Sequence, residues 1–194
     1  MKRARRTWRL MALPAVLMAM ASFLVVFAQP ANASPMSWSI QGWTKGSSGW
    51  ANFYTGNVLD AYGWGTSNWT PVQMYPRRPT PSNPTEKNQR WRVDMDSSKA
   101  GPYVNVLANK CLDESAPSNG AVVYLFECHG RANQNWKLHL MGWAGVEPYY
   151  ELVNSQDGRC LDVKDYNGNS GARLQVFDCT GAWNQRFRPV LGGQ

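Results

Sequence analysis

The sequence predicts an all-β domain built from three similar units of roughly 45–50 residues each. A set of landmarks recurs in fixed order. Lys110-Cys111-Leu112-Asp113 returns as Arg159-Cys160-Leu161-Asp162, 49 residues on. Phe126-Glu127-Cys128 returns as Phe177-Asp178-Cys179, and Asn133-Gln134-Asn135-Trp136 as Asn184-Gln185-Arg186-Phe187, each 51 residues on. The stretches between landmarks are short, β-branched or aromatic, and past residue 33 no apolar stripe keeps a helical period.

The N-terminal stretch reads as a removable segment. Lys2, Arg3, Arg5, Arg6 and Arg9 precede an apolar run from Leu10 to Ala28, then Ala31-Asn32-Ala33. Basic, apolar, small-x-small is the order of a cleaved signal peptide, here residues 1–33. A membrane anchor is the rival reading, disfavoured by Pro14, Ser22 and the small-residue site. Residues 34–49 read as an N-terminal extension and 50–194 as the folded domain. The mature chain is expected outside the cell.

The first unit is the weakest copy. Val58-Leu59-Asp60 stands for Cys-Leu-Asp, Gln73-Met74-Tyr75 for the aromatic end, and Asn88-Gln89-Arg90-Trp91 for the last landmark. Tyr75 to Asn88 spans 13 residues against 7 in the later copies, the excess falling in the Pro-rich residues 77–84, read as a surface-loop insertion with Arg77 and Arg78 solvated. In the second unit, residues 103–107 and 121–126 read as strands. In the third, residues 149–153 and 173–177 do, with Asn119-Gly120 and Asn167-Gly168 as hairpin-type turns. No unit buries its apolar face alone, so Trp91, Trp136 and Phe187, at equivalent positions, are the expected centre of a shared core.

Four cysteines in an exported chain suggest two disulfides. Three connectivities exist, and repeat symmetry selects Cys111 with Cys128 and Cys160 with Cys179. Each would close a loop of 17 or 19 residues, worth roughly 3 kcal/mol. His129 and His139 match no zinc spacing, so neither metal nor cofactor is expected.

Composition excludes some functions. The chain has 20 basic and 13 acidic residues, but five of the bases lie in the first nine positions, leaving 15 against 13. A broad basic surface for nucleic acid is therefore not expected. A catalytic Ser/His/Asp signature, a phosphate loop and a His-Glu-x-x-His motif are all lacking. The notable carboxylates repeat by symmetry, which suits several binding sites better than one asymmetric glycosidase pair.

Three units ending in Gln-x-Trp (Gln89-Arg90-Trp91, Gln134-Asn135-Trp136 and the variant Gln185-Arg186-Phe187) resemble the ricin-type β-trefoil lectins and the family-13 carbohydrate-binding modules of secreted bacterial enzymes. The resemblance covers roughly residues 50–191. It implies a β-trefoil with pseudo-three-fold symmetry and up to one sugar site per unit. In such lectins the aspartate accepts sugar hydroxyls, the aromatic before the second cysteine stacks under the ring, and the asparagine completes the polar set while the glutamine braces the aspartate. Carried onto this chain, the third unit supplies Asp162, Gln175, Phe177, Asn184 and Gln185. The first supplies Asp60, Gln73, Tyr75, Asn88 and Gln89. The second supplies Asp113, Phe126, Asn133 and Gln134, with Tyr124 replacing the extra glutamine. The third set is the most complete, and the second departs furthest.

These residue types suit a sugar. A ring covers the C–H face of a pyranose, a carboxylate accepts two hydroxyl protons, and an amide both donates and accepts. The implied protein is a secreted, monomeric, non-catalytic lectin for galactose-like sugars or polysaccharides, working by itself or as the sugar-binding part of a toxin or glycoside hydrolase complex. The glutamines have a bland alternative as internal braces, and the aspartates as turn caps. Trp38, Trp43, Trp50, Trp64 and Trp69 crowd the N-terminal part, and the sequence does not choose between packing the barrel or its edge and, for Trp64 and Trp69 in the loop after Asp60, widening the first site. Asn68-Trp69-Thr70 fits a glycosylation acceptor.

Overall fold

Trp38–Gly42, a strand from the segment expected to lie outside the domain, pairs residue for residue with the last strand, Phe187–Leu191. A computed structural model describes residues 38–42, 44–45, 51–52, 57–78 and 86–191. The expected signal segment, Trp43, Trp50 and most of the Pro-rich insertion lie outside the described residues. The expected boundary at Trp50 needs correction: Ile40 is fully buried in the common core, so the domain includes β1 (Trp38–Gly42). A five-residue strand flanked by Gly- and Ser-rich sequence carries too little periodicity to be assigned to a core on pattern alone.

The strands are short. After β1 come β2 (Thr44–Lys45), β3 (Ala51–Asn52), β4 (Asn57–Ala61), β5 (Thr70–Pro76), β6 (Trp91–Arg92), β7 (Ala100–Pro102) and β8 (Val104–Asn105). Then follow β9 (Cys111–Glu114), β10 (Val123–Phe126), β11 (Asn135–Ala144), β12 (Glu147–Asn154), β13 (Cys160–Val163), β14 (Ala172–Phe177) and β15 (Phe187–Leu191). The expected runs are all found as strands, some with shifted ends. The long β11 was not expected, because its Lys137, His139 and Gly142 interrupt the apolar alternation. Gly120 has a left-handed φ of 86°, as its turn requires. In the third unit that task falls to Gly171 at φ 81°, three residues after the expected Gly168.

Two layers of pairing build the fold. β1, β6, β7–β8, β11, β12 and β15 pair in a closed antiparallel ring. Closure leaves this ring without free sheet edges. The hairpins β4–β5, β9–β10 and β13–β14 cover it and meet one another: β5 pairs both β10 and β14, and Val122 bridges Gln175. This is the all-β architecture expected of three repeats. Its described residues belong to one compact unit. No helix among them is long and apolar enough to cross a membrane.

The shared core centres where the repeats predict. Trp91, Trp136 and Phe187 are buried, and the two indoles donate to the Leu59 and Leu112 carbonyls at 3.2 and 3.0 Å. Phe187 fills the third position without a donor. Leu59, Leu112 and Leu161, the middle residues of the three Cys-Leu-Asp-type landmarks, lie in the same cluster. Both disulfides have the expected pairing, Cys111–Cys128 and Cys160–Cys179.

Candidate functional site

Each candidate site is assembled on one hairpin and closed by one 3-10 turn. In the third unit Asp162 stands opposite Gln175, and Cys160 opposite Phe177. Alternate residues of a strand share a face, so Asp162, Gln175 and Phe177 project from the same side of the hairpin. Asn184 and Gln185 arrive from the turn Trp183–Gln185. Asp162 Oδ1 accepts from Gln175 Nε2 at 2.9 Å, and Oδ2 accepts from Asn184 Nδ2 at 2.7 Å and Gln185 Nε2 at 2.9 Å.

The first unit repeats this set. Asp60 Oδ1 accepts from Gln73 at 3.1 Å, and Oδ2 accepts from Asn88 and Gln89, both at 2.9 Å. In the second unit Asn133 donates to Asp113 Oδ1 at 3.1 Å and Gln134 to Oδ2 at 2.7 Å. The place of the missing glutamine is taken by the Tyr124 hydroxyl, which bonds the same carboxylate. His129 Nε2 adds a contact at 3.4 Å to Asp113 Oδ2. The Tyr124 substitution is legible in the sequence and takes effect because Tyr124 faces Asp113 across the ladder; the His129 contact was not expected.

The glutamines do two jobs at once. Gln89, Gln134 and Gln185 each give a second hydrogen bond to the carbonyl of Pro76, Glu127 or Asp178, the residue after the aromatic. Each also accepts a backbone N–H, from Arg78, His129 and Thr180 respectively. One amide thus fixes both the carboxylate and the loop that follows the ring.

The three carboxylates are only 1–3% exposed. Burial pushes the carboxyls of Asp60 and Asp162 above the usual aspartate range, against the opposing pull of the amide donors. Beside them, the buried Oδ1 atoms of Asn88 and Asn184 have no hydrogen-bond partner. An acceptor so placed has unused capacity for a hydroxyl donor.

The rings differ between units. Phe177 is 38% exposed. On the same unit Tyr166 packs on Trp183 at 5.3 Å, a pair that the landmarks did not reveal. Tyr75 lies under the Arg78 guanidinium, 4.5 Å from the ring centroid. Arg78 is therefore not the solvated residue expected. For Trp69, whose role the sequence left open, the structure shows packing on Tyr124 and Phe126 of the second unit, at 4.4 and 5.0 Å. The Trp69 N–H donates to the Leu125 carbonyl, and Asn68 Oδ1 accepts the Glu127 N–H. Trp64, on the loop after Asp60, is exposed. Trp38 is half-buried against the core.

Among the described residues, Glu151 with Cys160 and Cys179 is a cluster with metal-ligand spacing. Its two sulfurs are joined in a disulfide and offer no thiolate.

A carboxylate, an amide acceptor and an exposed ring on one face form a small polar and apolar couple. The family model described as "Ricin-type beta-trefoil lectin domain-like" matches residues 87–177 and 132–193, more than half of the chain. The chain belongs to the ricin-type beta-trefoil lectin family. Its lectin domain is similar to the designed three-fold symmetric protein ThreeFoil: TM-score 0.63, 27% identity, covering 79% of this chain and 97% of that one. The earthworm R-type lectin C-half, solved in complex with GalNAc, gives a TM-score of 0.58 at 16% identity, covering 81% of this chain and 99% of that one. Serine protease 1 of Rarobacter faecitabidus is 36% identical over 135 residues, which are 50% of this chain and 26% of that protein. The chain thus spans about a quarter of that relative's length. Family membership supports carbohydrate binding by this lectin domain.

Proposed function

We propose that the domain is a non-catalytic, extracellular glycan-binding module whose principal site is the third unit. The observation that carries this reading is the placement of Asp162 and the exposed Phe177 on one face of the β13–β14 hairpin. A pyranose lying on Phe177 would present its rim hydroxyls to Asp162 and to Asn184 Oδ1. Galactose-like sugars and plant-wall polysaccharides both offer that combination, and the earthworm relative was solved with GalNAc.

The same residues in the first and second units give further, altered sites: Asp60, Gln73, Tyr75, Asn88 and Gln89, then Asp113, Phe126, Asn133 and Gln134. Linked weak sites on one polymer raise avidity about 10²–10⁴-fold without new contacts. The protein would act as a monomer with no metal, no cofactor, no nucleic-acid partner and no membrane anchor after cleavage of residues 1–33. The similarity to part of a protease favours a second reading, a sugar-binding part that works beside a catalytic partner such as a hydrolase or a toxin.

A glycan array with wild-type protein and Phe177→Ala tests the proposal. Phe177 is at the surface, so the variant should keep its fold. Loss of most signal supports the third unit as principal site, whereas an unchanged array profile would reject it. Reducing-sugar release by the purified protein would overturn the non-catalytic reading.

A further inference from the structure

Where the three hairpins meet, the second strands of the units bring equivalent positions together. Counting along the face that carries Tyr75, Phe126 and Phe177, the middle positions are Gln73, Tyr124 and Gln175, and the innermost are Pro71, Val122 and Arg173. A cleft of about 700 Å³ opens here, within the usual size of a small-ligand pocket. It lies at the opposite end of these strands from the rim rings.

The walls of this cleft are aromatic. Tyr62 and Trp69 line it and are exposed, and Tyr124 of the second unit lines it beside Trp69, ring centroids 4.4 Å apart. Trp69 is held there in a left-handed conformation, φ 69°, by the cross-unit hydrogen bonds of residues 68 and 69 to the end of β10. Such a conformation is strained for a tryptophan and persists only when its surroundings fix it. The indole is therefore fixed at the cleft instead of sweeping through solvent.

Charge then selects the ligand. Of the residues lining the cleft, Arg173 is the only charged one. It occupies the position that is apolar in the other two units, and among the described residues no carboxylate pairs with it. A guanidinium beside aromatic walls matches a ring with a C–H face and a carboxylate, which it takes in two parallel hydrogen bonds.

We propose that this axial cleft is a separate binding site for a uronic acid residue of an acidic polysaccharide, with Tyr62 and Trp69 against the sugar ring and Arg173 on its carboxylate. The choice of a sugar rests on the glycan-binding reading of the domain, but the site shares no residue with the principal rim site.

Calorimetric titration at 0.15 M salt with tetragalacturonate and with its carboxyl-reduced, neutral counterpart tests this. The expected result is at least fivefold tighter binding of the acidic oligomer. The preference should vanish in Arg173→Gln, whose exposed position leaves folding intact. It should persist in Phe177→Ala, and Tyr62→Ala should weaken the acidic oligomer. Equal affinity for the two oligomers, or a preference untouched by Arg173→Gln, would overturn the proposal. So would loss of the preference in Phe177→Ala, which would place the anion at the rim. Failure of the neutral oligomer to bind, with the acidic preference intact, would count against the rim site and leave the axial one standing.

Discussion

The guanidinium of Arg78 lies over the ring of Tyr75, 4.5 Å from its centroid, and covers the aromatic face that the first unit would offer a sugar. The Arg78 backbone N–H is meanwhile tied to Gln89 Oε1, so the loop that delivers the side chain is anchored at its base. The longest insertion of the three units therefore starts by closing its own platform.

Removing that cover should improve the first site. In a Phe177→Ala background, Arg78→Ala is expected to tighten binding of a methyl galactoside about two- to fivefold, the equivalent of an exposed cation–π contact of ~0.5–1 kcal/mol. Chemical-shift titration of the Tyr75 ring reads it directly. Weaker binding would mean that the guanidinium itself holds ligand.

Asp162 sets a pH limit on the principal site. Its carboxyl is raised by burial, so it takes up a proton at a less acidic pH than a free aspartate. A protonated carboxyl accepts fewer hydroxyls, so sugar affinity should fall on acidification before an ordinary aspartate would titrate. The stability sign is the reverse. A raised native pKa favours the fold at low pH, and that contribution is lost as pH rises through the native value. Affinity and melting temperature measured on progressive acidification should move in opposite directions for this group.

Glu114 offers a stronger pH signal. It occupies the position after Asp113 that is Ala61 or Val163 in the other units, and it is 1% exposed. Neither of its carboxylate oxygens meets a donor, and it faces Asp157, itself bound to Arg159. Two acceptor-only carboxylates fit side by side only if one keeps a proton. Burial, then the Asp157 charge, push Glu114 up to about 8. Its contribution to stability is thus fully present below about pH 4.5 and is lost as pH rises toward 8. Glu114→Gln should flatten the fall in melting temperature over that range; an unchanged slope would contradict the assignment.

Trp69 separates ring from backbone. Trp69→Ala removes the indole and keeps the left-handed strain, whereas Trp69→Gly removes both. The glycine variant should be the more stable of the two by about 1 kcal/mol, measured by urea unfolding. Both should lose the same binding at the second unit, because the loss comes from the ring against Phe126.

Much of the binding set could be read from the sequence because it is local to a repeat. Asp162, Gln175, Phe177, Asn184 and Gln185 come together through one ladder and one turn, so fixed spacing suffices to group them. Arg78, Trp69 and His129 escaped for different physical reasons. Arg78 folds back within an insertion that has no counterpart in the other units. Trp69 crosses to the second unit through the β5–β10 pairing, which no period records. His129 lies within 3.4 Å of Asp113 on a loop whose His129 N–H is tied to Gln134 Oε1, a tertiary contact with no counterpart in the other units' residue types.

The sequence by itself determined the repeat, the strand class, the disulfide pairs and the three indole or phenyl positions of the core, since each depends on residue type at a regular interval. Only the packing of the units decided that Trp38–Gly42 completes the closed ring, which aromatic faces remain open, and that Arg173 lines one cleft with Tyr62 and Trp69. Those outcomes depend on contacts between units, and side chains from distant stretches meet only after the hairpins have packed.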